Sequence, residues 1–482
     1  MRFAPRIAIL SALLAFAAPV FAQEATAPVA APTIADSPFV AKPYLQMGNP
    51  AAKDATKRLS LLWHAPDTDA PWAVEIKRKD KWVALSAAPA FQSVRVPTIE
   101  PHRVYTAELT DLAPGVATAY RVLHGGKSVF EGTAMPPKAP GKKSRIVVFG
   151  DCAVNSAEQK QIAYQTYQAK PDYVFITGDI VYSRGRVSEY REKYFPVYNA
   201  DAASPETGAP LTRNTVFLAS PGNHDIGSTD FEKYPDTMAY FMYWKQPLNG
   251  PIGDATNPNV KAFTGNPDAQ KAFLAAAGSA YPRMANFSFD YGDVHWTVLD
   301  ANVNVNWNDP ALREWVRNDL KAASKAKWRF VGFHQPGFNS SEVHFKEQQM
   351  RVVSDLFEAG KVDLVFNGHV HNYQRSFPMR FAVAPGQPSN GKPVDGTWTL
   401  DKSFDGAKNT KANGVIYVVT GAGGAGLYNP EQQTKPETWQ GFTDKFVSQT
   451  HSLTVIDVDG KRLVVKQVDK NGAVIDTFTL TK

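Results

Sequence analysis

The chain has 482 residues, 43% hydrophobic and 20% charged, a length that calls for two domains, one of them large. Its 52 basic and 46 acidic residues give a net charge of +6, and no block of five or more like charges occurs, which argues against nucleic acid as a specific partner. One cysteine, Cys152, excludes an internal disulfide, so the core alone must hold the fold.

At the N-terminus, Arg2 and Arg6 flank a start that leads into the apolar run 7–20, and Val20-Phe21-Ala22 supplies small residues for cleavage. Residues 1–22 therefore read as a secretory signal peptide, and the protein is expected to be exported, periplasmic or secreted. The run is short for a spanning helix and no later stretch is apolar enough to cross a bilayer, so no stable membrane span is expected. Removing two arginines and no acid lowers the charge to +4, a mild basicity that favours anionic substrates. Residues 23–42 are a flexible lead-in rich in Ala, Pro and Thr.

Residues 43–135 are all-β in pattern, with strand-like runs at 59–63, 73–76, 104–109 and 118–122. Prolines and lysines at 136–143 mark a stiff linker and domain boundary. From residue 144 to 482 the pattern is α/β, with predicted strands at 145–149, 173–177, 215–219, 294–299, 328–333, 362–366 and 415–420. A helix is predicted over 309–325, capped by Asp309 with Pro310 in its first turn, its stripe made by Leu312, Trp315, Val316 and Leu320. A second is predicted over 345–359, with Met350, Val353 and Phe357 inward and Gly360 as its stop. Beyond Ser452, Asp459-Gly460 and Asn471-Gly472 predict β-hairpins. The stretch 226–286 reads as irregular; its aromatics Tyr240, Phe241, Tyr243 and Trp244 either form a substrate rim or pack the large domain.

Five blocks carry the chemistry: Phe149-Gly150-Asp151, Gly178-Asp179-Ile180-Val181-Tyr182, Gly222-Asn223-His224-Asp225, Val331-Gly332-Phe333-His334 and Gly368-His369-Val370-His371. Each follows a hydrophobic strand, and in α/β sheets ligands gather beyond the carboxyl ends of strands. Taken singly, Asp151 caps a helix, Asn223 shapes a turn and His334 sits in a core. Together, in this order, they form a metal site. Oxygen and imidazole donors suit Fe, Zn and Mn, and one shared carboxylate holds two ions close together.

These blocks resemble the calcineurin-like metallophosphoesterases and, within them, the purple acid phosphatases. The resemblance covers about residues 40–482. Leu112-Ala113-Pro114-Gly115 followed by Tyr120-Arg121-Val122 also resembles a fibronectin type III-like sandwich. The discriminating residue is Tyr182, three after Asp179; Ala153 stands where the wider superfamily has a histidine. The resemblance implies an α/β fold, a metallophosphoesterase β-sandwich flanked by helices, preceded by the small all-β domain. It implies Fe(III) on Asp151, Tyr182 and His371, a divalent ion (Zn, Fe or Mn) on Asn223, His334 and His369, and Asp179 bridging both. The implied activity is an exported acid phosphatase that hydrolyses small phosphate monoesters through a metal-bound hydroxide. A phosphodiesterase or phospholipase on the same metals is the alternative. His224 corresponds to the family's outer-sphere histidine, with Asp225 as the group expected to orient it. His344 resembles the substrate-side histidine of plant-type members, or is a plain loop histidine. The chain departs from the family pattern at Ala153, usually glycine, and at Val343, often a second histidine.

Other features carry less. Residues 421–426 match the dinucleotide fingerprint with no helix after them, and read as a tight loop beside the metal cleft. His295 reads as core or sheet face, while His64, His102 and His124 have no ligand spacing. A binding protein with a dead phosphoesterase domain is the competing class, and the intact ligand set argues against it.

Overall fold

In the computed structural model, residues 37–51, 54–252 and 259–482 are described. The expected signal peptide, 1–22, and residues 23–36 of the lead-in lie outside them.

Short alternating strands after Ala41 build two four-stranded antiparallel sheets. One runs Ala41–Gln46, Leu59–Pro66, His102–Leu109, Ala90–Val94, and the other Lys81–Ala84, Trp72–Arg78, Thr118–His124, Lys127–Ala134. Trp63 stacks on Tyr105 at 5.4 Å within the first sheet, and Trp72 of the second meets both rings at 5.5 and 5.8 Å. Residues 136–143 are pinned to the larger layers: Lys138 pairs with Asp172 at 2.7 Å, and the Gly141 N–H donates to Asp293 at 2.8 Å.

Two larger sheets follow. Val216–Ala219, Tyr173–Ile176 and Ser144–Phe149 lie parallel, extended by the antiparallel hairpins of Ser452–Asp459, Arg462–Asp469 and Val474–Thr481. The second sheet has Val294–Val298, Trp328–Gly332, Leu364–Asn367 and Ile416–Thr420 parallel at its centre. Tyr173–Ile176 and Val216–Ala219 are continuous apolar runs because both faces are covered. Between the sheets Trp296 stacks on Phe175 at 4.4 Å, in one core with Ile146, Val148, Phe330 and Phe366. Helices cover the outer faces. On one side lies Ala157–Ala169; on the other lies Pro310–Ala322, where the Asp309 carboxylate caps the Leu312 N–H at 2.9 Å.

Two predicted features change. The helix expected over 345–359 begins only with a 3-10 turn at Gln349–Val353, followed by Ser354–Ala359. His344 sits in a left-handed conformation (φ 62°) and Glu347 turns inward to two histidines, so the chain leaves the helical path there. Lys361 (φ 53°), rather than Gly360, takes the left-handed position at the helix end. Gly360 serves a different need, since a Cβ there would lie 2.5 Å from Leu320.

The described residues of the stretch 226–286 pack the domain. They include the helices Tyr240–Tyr243 and Pro267–Ala277, and Tyr240, Phe241, Tyr243 and Trp244 are all buried. Tyr243 Oη meets His102 Nε2 at 2.8 Å, and Tyr44 Oη lies 2.9 Å from His64 Nε2 while donating to the Tyr243 carbonyl. Histidines without ligand spacing thus join the small sheets to the large domain.

His295 clamps the helix Pro310–Ala322 to its sheet. Its Nδ1 lies 2.9 Å from Asp290 and its Nε2 3.0 Å from Asp319. Burial opposes the charged ring, but the two carboxylates outweigh it and push the pKa up to about 9. The clamp's stabilisation is therefore complete below the ordinary value of 6.5 and is lost as pH rises through about 9. Urea midpoints of the wild type should fall between about pH 6 and pH 10 more steeply than those of His295→Asn; parallel slopes would refute the clamp.

Candidate metal centre

Each strand end delivers one donor. Asp151 follows Ser144–Phe149, Asp179 follows Tyr173–Ile176, Asn223 follows Val216–Ala219, His334 follows Trp328–Gly332, and His369 follows Leu364–Asn367. All five strands are parallel within their sheets, so the donors meet at one edge of the layered core. Asp151 (φ 59°), Asp179 (φ 48°) and His369 (φ 68°) are all left-handed, a strain of order 1 kcal/mol each that turns their side chains inward. Glycines make the space: a Cβ on Gly222 would strike Asp179 Oδ1 at 2.1 Å, and on Gly368 would strike Asp151 Oδ2 at 2.5 Å.

Two donor groups result. Tyr182 Oη lies 3.0 Å from both Asp151 Oδ1 and His371 Nε2, and those last two are 3.3 Å apart. Beside this triangle, donor atoms of Asp179, His334 and His369 lie within 4.8 Å of one another. Asp179 Oδ2 is 3.1 Å from His334 Nε2, which is itself 3.9 Å from Asp151 Oδ1. Asn223 opens the short helix Asn223–Ile226, and its Oδ1 lies 3.5 Å from Gln335 Nε2.

The histidines are presented as ligands. His334 Nδ1 meets the Thr177 carbonyl at 2.7 Å and His371 Nδ1 the Gly426 carbonyl at 2.6 Å. A carbonyl only accepts, so Nδ1 carries the hydrogen and Nε2 faces the carboxylates. His334 Nε2 is fully buried and, though 3.1 Å from Asp179 Oδ2, is not aligned for a hydrogen bond with it. An orphaned imidazole nitrogen against buried carboxylates fits a cation.

The electrostatics agree. Burial disfavours the charged form of Asp179, yet His334 and its neighbours hold its carboxyl well below the usual range. Burial likewise opposes a charged His334, but Asp179 and Asp151 push its pKa up to about 10. Burial, with Asp151 and Asp179 alongside, holds the Tyr182 phenol far above its ordinary value. Burial, with His334 near, pushes His369 down to about 4. The pocket is thus strongly negative, which favours a cation beside His334, Asp151 and Asp179.

Three groups stand at the mouth. The ring of His224 is held by its Nδ1 on the Ser183 carbonyl at 2.7 Å, with Nε2 3.7 Å from Asp179 Oδ2. The expectation that Asp225 orients His224 is corrected. The Asp225 carboxylate is fully buried and accepts the N–H groups of Ile180 (3.0 Å) and Gly222 (2.8 Å), tying together the loops that carry Asp179 and Asn223. His344 packs its ring 3.9 Å from that of His369, and Tyr428 stacks on His371 at 4.1 Å.

Sequence reasoning missed Glu347. Its carboxylate spans His344 Nδ1 (2.6 Å) and His369 Nε2 (3.0 Å), so it orients a mouth histidine and a metal-site histidine together. Its place three residues after His344 was the available signal. Tyr428 was missed as well, although it follows the glycine loop at once. That loop is a wall of the site: a Cβ on Gly421 would lie 2.7 Å from Asp151 Oδ2, and Gly426 supplies the carbonyl that holds His371. Ala153 fits without displacement, its N–H donating to the Ile180 carbonyl at 3.0 Å. Glu347→Ala should weaken divalent-metal binding about 10- to 100-fold by isothermal titration; unchanged affinity would show that the Glu347 contact is idle.

The calcineurin-like phosphoesterase family model matches residues 144–373. Purple acid phosphatase 23 of Arabidopsis thaliana is 25% identical over 266 residues, covering 51% of this chain and 50% of that protein. "Probable inactive purple acid phosphatase 1" of the same plant is 24% identical over 416 residues, covering 80% and 58%. A nucleotide pyrophosphatase/phosphodiesterase of Hordeum vulgare is 24% identical over 376 residues, covering 72% and 86%. The chain thus spans about half the length of the first relative and 58% of the second. In fold it is similar to the purple acid phosphatase PPD1 of yellow lupin (Lupinus luteus), with a TM-score of 0.61 and 19% identity, over 91% of this chain and 74% of that one.

Proposed function

We propose that this chain, which carries a calcineurin-like phosphoesterase domain and is a homologue of the purple acid phosphatases, is an exported binuclear-metal hydrolase of small phosphate monoesters. The observation that carries the reading is the pair of donor groups around buried Asp151 and Asp179, with His334 Nε2 left without a hydrogen bond. Asp151, Tyr182 and His371 would hold Fe(III). Asn223, His334 and His369 would hold a divalent ion, Zn, Fe or Mn, with Asp179 shared. Oxygen, imidazole and phenolate donors suit these ions. The chemistry supplied by a bound pair is activation of water and neutralisation of charge on the phosphoryl oxygens.

The chain's own groups do the rest. His224 Nε2, beside Asp179, is placed to hydrogen-bond a phosphoryl oxygen. The same nitrogen can protonate the leaving oxygen, while His344, its Nδ1 engaged by Glu347, contributes on the substrate side. The complete donor set argues against a dead phosphoesterase. Export rests on the signal-like residues 1–22. The Hordeum relative, a nucleotide pyrophosphatase/phosphodiesterase, keeps a diesterase as the second reading.

The deciding measurement is the ratio of hydrolysis rates for a chromogenic monoester and its matched diester from acid to neutral pH. A strong monoester preference with an acid optimum is expected, and a diester preference would move the enzyme to the second reading. Asp179→Ala should strip metal from both positions and lower turnover roughly 10³-fold or more; full metal content with near-normal rate would refute the assignment. Tyr182→Phe should abolish the visible absorption band of a tyrosinate–iron pair, and a persistent band would remove Tyr182 from the ligand set.

A further inference from the structure

Asn223 differs from the other proposed ligands in one respect. Its amide has two ends of similar shape, and only the oxygen binds a metal. Its own charge does not choose between them, so the surroundings must. Among the described residues the one side-chain hydrogen bond to Asn223 comes from Gln335 Nε2 to Oδ1, at 3.5 Å. Gln335 follows His334 directly, is buried, and has the same ambiguity.

The ambiguity is resolved further back. Gln335 Nε2 also donates to Asn302 Oδ1 at 3.0 Å. Asn302 shows its oxygen there because its Nδ2 is used at 2.8 Å on Asp300 Oδ1. Asp300 Oδ1 is fixed as an acceptor by a group that cannot flip, the Asn302 backbone N–H, at 2.9 Å. Asp300 is itself held by its N–H on Asn286 Oδ1 (2.8 Å) and its carbonyl under the Trp307 indole N–H (2.9 Å). Asp300, Asn302 and Gln335 are all buried, so water cannot substitute for a link. Each donor in the chain forces the next acceptor, from a backbone N–H to Asn223 Oδ1.

We propose that Asp300, Asn302 and Gln335 form a buried polarity relay that keeps Asn223 Oδ1 turned toward the divalent-metal position, with Gln335 as the positioning residue. This rests on the metal reading above. The relay does not touch the Asp151–Tyr182–His371 group, so its effect is confined to one of the two positions.

The test uses the full chain loaded with iron and a divalent ion, then dialysed against a graded chelator. Metal content, the visible absorption band and the thermal midpoint are read together. Gln335→Met keeps length and removes the donor. It should lower divalent affinity about tenfold while the band and the midpoint stay near wild type. Gln335→Glu presents an acceptor to Asn223, favours the flipped amide, and should lower affinity further. Asn302→Leu, two links from the ligand, removes the acceptor that fixes Gln335 Nε2; it should show the same selective loss, and decides the matter if a Gln335 variant does not fold. Wild-type retention of the divalent ion in the folded variants overturns the relay, as does parallel loss of both metals. A wild-type chain that takes up no metal fails the metal reading itself, and the relay with it.

Discussion

Two aspartates, Asp151 and Asp179, are 0% and 1% exposed and face one small space. Like charges that close in a low-dielectric interior are costly unless a cation stands between them. Much of the surrounding structure answers that constraint. His334 is driven toward its charged form, backbone N–H groups of His369 and His224 donate to the two carboxylates, and left-handed turns aim the acids inward. The fold places an unbalanced negative pocket where parallel strands end, and metal ions are the natural counter-charge.

Support for the pocket extends outward in layers. Asp225 ties the loop bearing Asp179 to the loop bearing Asn223 through two backbone N–H groups. Glu189 does similar work for the loop after Tyr182, accepting from the N–H groups of Ser183, Arg184 and Arg186. The Ser183 carbonyl in that loop then holds His224. Glu347 couples the two sides of the mouth. Buried acids that satisfy backbone donors rigidify the loops on which a precise site depends.

The central strands and the donors at their ends were legible because apolar runs and the residues just after them lie in one short window. Asp151, Asp179, Asn223, His334, His369 and His371 needed only their order along the chain. Asp225 was misread because adjacency to His224 in sequence says nothing of direction; on a helical turn, neighbouring side chains diverge. Glu347 was hidden for the opposite reason: it acts only because His344 is left-handed and breaks the predicted helix. The stretch 226–286 gave no period because its aromatics pack against distant segments, Trp244 on Tyr190 and Tyr243 on His102 of the small sheets. Non-local burial leaves no local pattern.

The proposed ligands are divided between the two large sheets. Asp151, Asp179, Tyr182 and Asn223 follow strands of one, and His334, His369 and His371 follow strands of the other. No local stretch of chain carries a complete set for either ion, so capture of metal must come after the sheets have docked. A nascent or unfolded chain offers only scattered weak donors. If the chain crosses a membrane unfolded, its cofactor is acquired on the far side, from whatever ions that compartment provides. The identity of the divalent metal then reflects local supply as much as the preference of Asn223 and its two histidines.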